Sequence, residues 1–146
     1  MKNYVWSTLT VMLVLFASCS MSKKNSTADS TAKLEDVTWR LTELEGKAVR
    51  KEINGKVPSL TFTSADKRYG AITGCNGIGG QYEIKQGDQL RLMMGMSTKM
   101  YCENNMEVED GFGKLFPLVQ SYAIQNNRLE LKDADSKVVA TFVLMP

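Results

Sequence analysis

Apolar residues fall at every second position through much of this chain, the period of a half-buried β-strand. In Val37-Thr38-Trp39-Arg40-Leu41, the residues Val37, Trp39 and Leu41 share one face of a first strand, while Arg40 and then Thr42 turn to water. Leu60 and Phe62 alternate with threonines in a second strand, and the turn Ala65-Asp66-Lys67 leads to a third over Tyr69 to Cys75. A fourth runs near Gln81 to Lys85. Gln86-Gly87-Asp88 joins it as a hairpin to Gln89 to Met93. Towards the end of the chain Ser121 to Gln125, the turn Asn126-Asn127, Arg128 to Lys132 and then Val138 to Leu144 repeat the same pattern.

Between these two groups of strands the period changes to that of a helix. Val108, Phe112, Leu115, Phe116 and Val119 recur at spacings of three and four, Asn104 or Asn105 supplies a cap, and Glu107, Glu109 and Asp110 suit the positive N-terminal end. Pro117 ends or kinks this helix. Gly111 and Gly113 weaken it by about 1 kcal/mol each relative to alanine, which points to a close approach of helix and sheet. The predicted architecture is α+β: a mainly antiparallel β-sheet or partial barrel with one packed helix. No internal repeat and no coiled-coil heptads interrupt it.

The first residues obey different rules. Lys2 followed by the apolar stretch Val5 to Phe16 reads as a secretory leader over residues 1–18, too short for a comfortable membrane span of about 20 residues. Its small-small-Cys ending, Ala17-Ser18-Cys19, resembles a bacterial lipobox and implies a lipid on Cys19, although Phe16 is bulky for its place. Residues 20–33, rich in Ser, Thr and Lys, read as a flexible tether that averages roughly 20 Å in reach. The expected organisation is thus a leader over 1–18, a lipidated cysteine and tether over 19–33, and one domain over 34–146.

Charge sharpens the picture once it is counted by segment. Of 18 basic and 16 acidic residues, Lys2 lies in the leader and Lys23, Lys24, Lys33 and Asp29 in the tether, so the domain is left one charge negative. Such balance excludes a nucleic-acid binder, which needs a concentrated basic face. Ser20 after Cys19 lacks the aspartate that retains many enterobacterial lipoproteins at the inner membrane. An outer-membrane, lipid-anchored location is therefore expected.

The residues that could carry chemistry are few. The chain contains no histidine, which rules out a Cys-His nucleophile pair and leaves two thiols a poor structural zinc site. With Cys19 assigned to lipid, Cys75 and Cys102 remain as an even pair. The expectation is a disulfide, stabilising by roughly 3 to 4 kcal/mol in the chain-entropy model; the alternative is two buried reduced thiols. Gly74 to Gly80 lacks the Lys-Ser/Thr ending of a phosphate loop, so turns or bulges between strands explain its glycines. Met93, Met94, Met96 and Met100 could offer thioethers to Cu(I), but the plainer expectation packs Met94, Met96 and Met100 between sheet and helix. Glu103, Glu107, Glu109 and Asp110 read as a solvated helix start, without the ligand spacing of a calcium loop.

Several of these residues together carry a resemblance. Trp39-Arg40-Leu41, Gly74-Cys75-Asn76 with Gly80 and Tyr82, Thr98-x-Met100-x-Cys102, and Met106 with Glu109 and Phe112 resemble the META or HslJ-like domain over about Leu34 to Met145. This family comprises small bacterial envelope and protozoan proteins, its bacterial members being linked to heat shock and antibiotic tolerance. The resemblance implies no catalysis and no cofactor. It suggests, through a fold similar to secretin-pilot lipoproteins, binding of a protein or peptide of the envelope. The expected function is a monomeric, non-enzymatic, stress-related binding or assembly module. The alternative is a small-ligand, metal or redox module using Cys75, Cys102 and the nearby methionines.

Overall fold

The computed structural model describes residues 32–93, 95–103 and 106–146. The leader, Cys19, the tether through Thr31, Met94 and the capping candidates Asn104 and Asn105 lie outside the described residues.

Alternation produces strands where it was predicted to. In chain order these are β1 (Thr38–Leu44), β2 (Lys47–Ala48), β3 (Ser59–Thr63), β4 (Arg68–Ile72), β5 (Gly77–Ile84), β6 (Leu90–Leu92) and β7 (Met96–Ser97). After the helix α1 (Met106–Leu115) come β8 (Ser121–Gln125), β9 (Arg128–Lys132) and β10 (Val138–Leu144). Every strand pair is antiparallel, in the order β6-β5-β4-β3-β1-β10-β9-β8. The two ends of that path then meet: Leu90 N–H donates to Gln120 O at 3.0 Å and Tyr122 N–H to Asp88 O at 2.9 Å. The result is a nearly closed barrel with β1 at its centre. Met145 N–H donates to Thr38 O, so the last strand ends where the first begins.

Boundaries differ from the sequence reading in two places, while Pro117 ends the helix as expected. The third strand stops at Ile72 rather than Cys75, because Thr73 to Asn76 close a turn with Gly74 at φ +100°. β5 starts earlier than expected, at Gly77, since Gly77, Ile78 and Gly79 pair with Ile72, Ala71 and Gly70. Pro117 converts the end of α1 to a short 3-10 turn, Phe116–Leu118, as its missing N–H requires.

The interior is filled by Trp39, Leu41, Leu60, Phe62, Phe142, Leu129 and Leu131, all less than 2 % exposed. Against them α1 packs Phe112, edge-on to Phe116 at 5.0 Å and tilted over Phe142 at 6.4 Å. Gly111 is buried because Leu44 of β1 occupies the space a side chain would need. Gly113, in contrast, has open space around it and marks no close approach. Gly113→Ala is therefore expected to stabilise the domain by about 0.5 to 1 kcal/mol, whereas Gly111→Ala should destabilise it by about 1 to 3 kcal/mol through overpacking against Leu44. Urea denaturation of the two variants checks both signs.

Away from α1, Trp39 Nε1–H donates to Leu34 O at 2.9 Å, and Tyr82 stands edge-on to Phe62 at 5.1 Å. The Tyr82 hydroxyl donates to Glu35, whose carboxylate also meets Lys67 Nζ at 2.7 Å. Lys67 first, then Tyr82, holds the Glu35 carboxyl below its ordinary value. Burial, and then Glu35, raises the Tyr82 phenol well above its own. A lowered carboxyl stabilises the fold above its unfolded value, near pH 4.5, and loses that contribution as pH falls through the folded value. Glu35→Gln should accordingly flatten the acid limb of stability below about pH 4.5, read from urea midpoints between about pH 3 and 7.

Candidate functional site

Most of the motif residues converge on one loop, and the amide of Asn76 is what gathers them. Asn76 is 2 % exposed at the turn between β4 and β5. Its Nδ2 donates to Met100 O at 2.8 Å and to the Glu109 carboxylate at 2.6 and 2.7 Å. Its Oδ1 accepts from Thr98 Oγ1 and from Met100 N–H, both at 2.8 Å. A side-chain amide is the one group that offers two donors and an acceptor in this plane, so it can close a loop onto a helix.

The neighbours have equally specific jobs. Thr73 Oγ1 accepts from the Asn76 N–H at 3.0 Å and fixes the turn. Gly74 has positive φ, and a Cβ there would lie 2.6 Å from Ile53 Cβ, so only glycine fits. Cys75, buried, forms a disulfide with Cys102, their Cα atoms 6.1 Å apart. Lys56 Nζ donates to Cys75 O. Thr98 Oγ1 accepts from Gly77 N–H at 3.1 Å, and Thr98 N–H donates to Gly77 O, extending the line of β7. Gly80 is needed for a different reason. A Cβ there would stand 2.5 Å from Met93 O and 2.8 Å from the Tyr69 ring. The Tyr69 hydroxyl donates to that same Met93 O at 3.0 Å, and burial raises its phenol.

The segment from Met93 to Cys102 is thus held at its start by Tyr69, along β7 by β5, and at its end by Asn76 and the disulfide. The side chains it presents point outward. Met96 is 82 % exposed, Met100 56 % and Tyr101 83 %, with Met93 and Ile72 also exposed. This corrects the expectation that Met96 and Met100 pack between sheet and helix; Met94, the third of that set, lies outside the described residues. The cause is register: Met96 pairs with Gly79, an outward-facing position of β5 that offers no side chain to cover it.

Glu109 is a second correction, for it is not part of a solvated helix start. It lies half-buried beside the buried stripe of α1, three residues before Phe112, and that spacing could have marked it as facing the sheet. Met106 opens the helix half-buried, while Glu107 remains at the surface in a salt bridge with Lys47 at 3.0 Å. Trp39, Tyr82 and Phe112 belong to the core rather than to this loop. Neither the exposed Tyr101 nor the two-residue β7 is marked by any periodicity or motif in the chain. Among the described residues no group of His, Cys, Asp and Glu could hold a metal ion. With its amide, hydroxyls and backbone groups paired to one another and its thiols joined, the knot is suited to fixing a loop rather than to moving protons.

No curated protein matches the chain. Two solved structures are similar to it. One, an NMR structure, has a TM-score of 0.61 at 21 % identity, covering 76 % of this chain and 91 % of its own. The other, an NMR structure of a protein from Burkholderia xenovorans, has a TM-score of 0.58 at 20 % identity, covering 77 % and 83 %. At that identity they share the fold alone. The META domain profile, however, matches residues 32–145, which takes in the first strand, the Asn76 knot and the helix. The chain belongs to the META domain family.

Proposed function

We propose that this protein is a non-enzymatic, stress-related lipoprotein of the cell envelope, anchored to the outer membrane through Cys19, whose Met93 to Cys102 loop docks a protein partner. The observation that carries this reading is the contrast between a loop fastened at both ends and the bare apolar side chains it holds in water. Keeping Met96, Met100 and Tyr101 exposed forgoes burial worth about 1.5 to 3 kcal/mol for each such side chain. A partner that covers them recovers that energy without having to order the loop first.

In-cell photocrosslinking tests the reading. A crosslinking residue at Met96 or Tyr101 is expected to capture one envelope protein that the same residue at Ala134, on the β9–β10 turn, does not. Equal capture from both positions, or none from the loop, would refute it. The anchor is checked in the same cells by fatty-acid labelling, which Cys19→Ala should abolish. Exposure of Met93, Met96 and Met100 also favours a second reading, soft-metal binding, for which Cu(I) titration should show saturation that Met96→Leu with Met100→Leu removes.

A further inference from the structure

The barrel is open at the end of β1 away from α1. Tyr122 and Ile124 of β8 pair with the buried Leu131 and Leu129 and so face inward, yet both are only half-buried, as is Ile84 of β5. The bridge that joins the sheet edges lies at Gln89 and Ser121, and among the described residues no backbone hydrogen bond joins β8 to the β5–β6 hairpin beyond Tyr122. Leu34 forms the floor of the opening, a cavity of about 670 Å³ whose apolar walls are Leu34, Ile84, Tyr122 and Ile124. Mouths of small barrels are recurrent ligand sites because they offer a preformed apolar wall with a few polar groups.

The polar groups at this mouth have one dominant sign. Among the described residues, Glu35, Asp36 and Asp88 line it against a single cation, Lys33. Glu35 is engaged by Lys67 and Tyr82, and Asp36 by the Ser64 N–H and hydroxyl at 3.0 and 2.6 Å. The Asp88 carboxylate and the Tyr122 hydroxyl have no partner among the described residues. Burial, followed by Glu35 and Asp88, raises the Tyr122 phenol, as a negative potential at the opening would.

We propose that this barrel mouth binds small organic ammonium ions with an apolar body, the ammonium beside Asp88 and the Tyr122 ring, the body against Ile84, Ile124 and Leu34. An ammonium answers the unpaired carboxylate and is attracted by an aromatic face, while the apolar part covers half-exposed walls. The site is separate from the Met93 to Cys102 loop and does not depend on the role given to it.

Three probes with similar bodies and different heads test this: phenethylammonium, 2-phenylethanol and 3-phenylpropanoate, titrated into the full-length chain and followed through the isoleucine methyl and tyrosine ring NMR signals. Phenethylammonium should move the signals of Ile84, Ile124 and Tyr122, with an affinity about tenfold or more above that of the alcohol and the carboxylate weakest. Asp88→Asn, an exposed and therefore structurally mild change, should bring phenethylammonium down to the level of the alcohol and leave the alcohol unchanged. Equal affinities for the three heads, shifts confined to other residues, or indifference to Asp88→Asn would each overturn the proposal.

Discussion

Asn76→Ala is expected to destabilise the domain by about 3 kcal/mol, which lowers the melting temperature by roughly 10 to 20 °C. The deletion removes one amide but strands several partners: the N–H and C=O of Met100, the Thr98 hydroxyl and the Glu109 carboxylate. Each buried group left unpaired costs about 1 to 3 kcal/mol, and the exposed position of Thr98 and Met100 lets water recover part of it, which sets the total below the sum. Asn76→Asp separates geometry from charge. It keeps the shape and the acceptor but turns a second carboxylate towards Glu109, so it should be at its least stable near neutral pH and regain stability as acid protonates one of the pair. A loss of less than about 3 °C for Asn76→Ala would mean that the loop holds without its amide.

Removing the disulfide should have an effect of similar size. Cys75→Ala with Cys102→Ala releases a closure of 27 residues, worth roughly 3.5 kcal/mol in the chain-entropy model and again more than 10 °C in melting temperature. Because Asn76 and the disulfide close the same loop, their effects are not independent. Combining the three substitutions should cost measurably less than the sum of the two separate losses, by about 0.5 kcal/mol or more. Strict additivity in urea denaturation would show that the loop has two separate fastenings.

What could be read from the residues and what could not divides along a physical line. Strands whose faces differ in polarity announce themselves, and Trp39, Leu41, Leu60 and Phe62 occupy the buried faces that their alternation assigns. Closure of the barrel rests on backbone atoms of Asp88, Leu90, Gln120 and Tyr122, and backbone atoms are the same in every sequence. The exposed methionines were misread because hydrophobicity says what a side chain prefers, while register with Gly79 decides what it finds. Glu109 was misread for the opposite reason, a charge being taken for a surface marker when an amide was waiting beneath it. Gly111 and Gly113 look alike in the chain, and only the position of Leu44 distinguishes them.

The place of β1 also has a mechanical meaning. It lies between β3 and β10, antiparallel to both, and the chain enters it at Thr38 after the bends at 34–37. A pull arriving from the N-terminal side at Thr38 is therefore shared between the hydrogen bonds of both flanks. A domain held by that end would resist dragging forces through a strand braced on both sides.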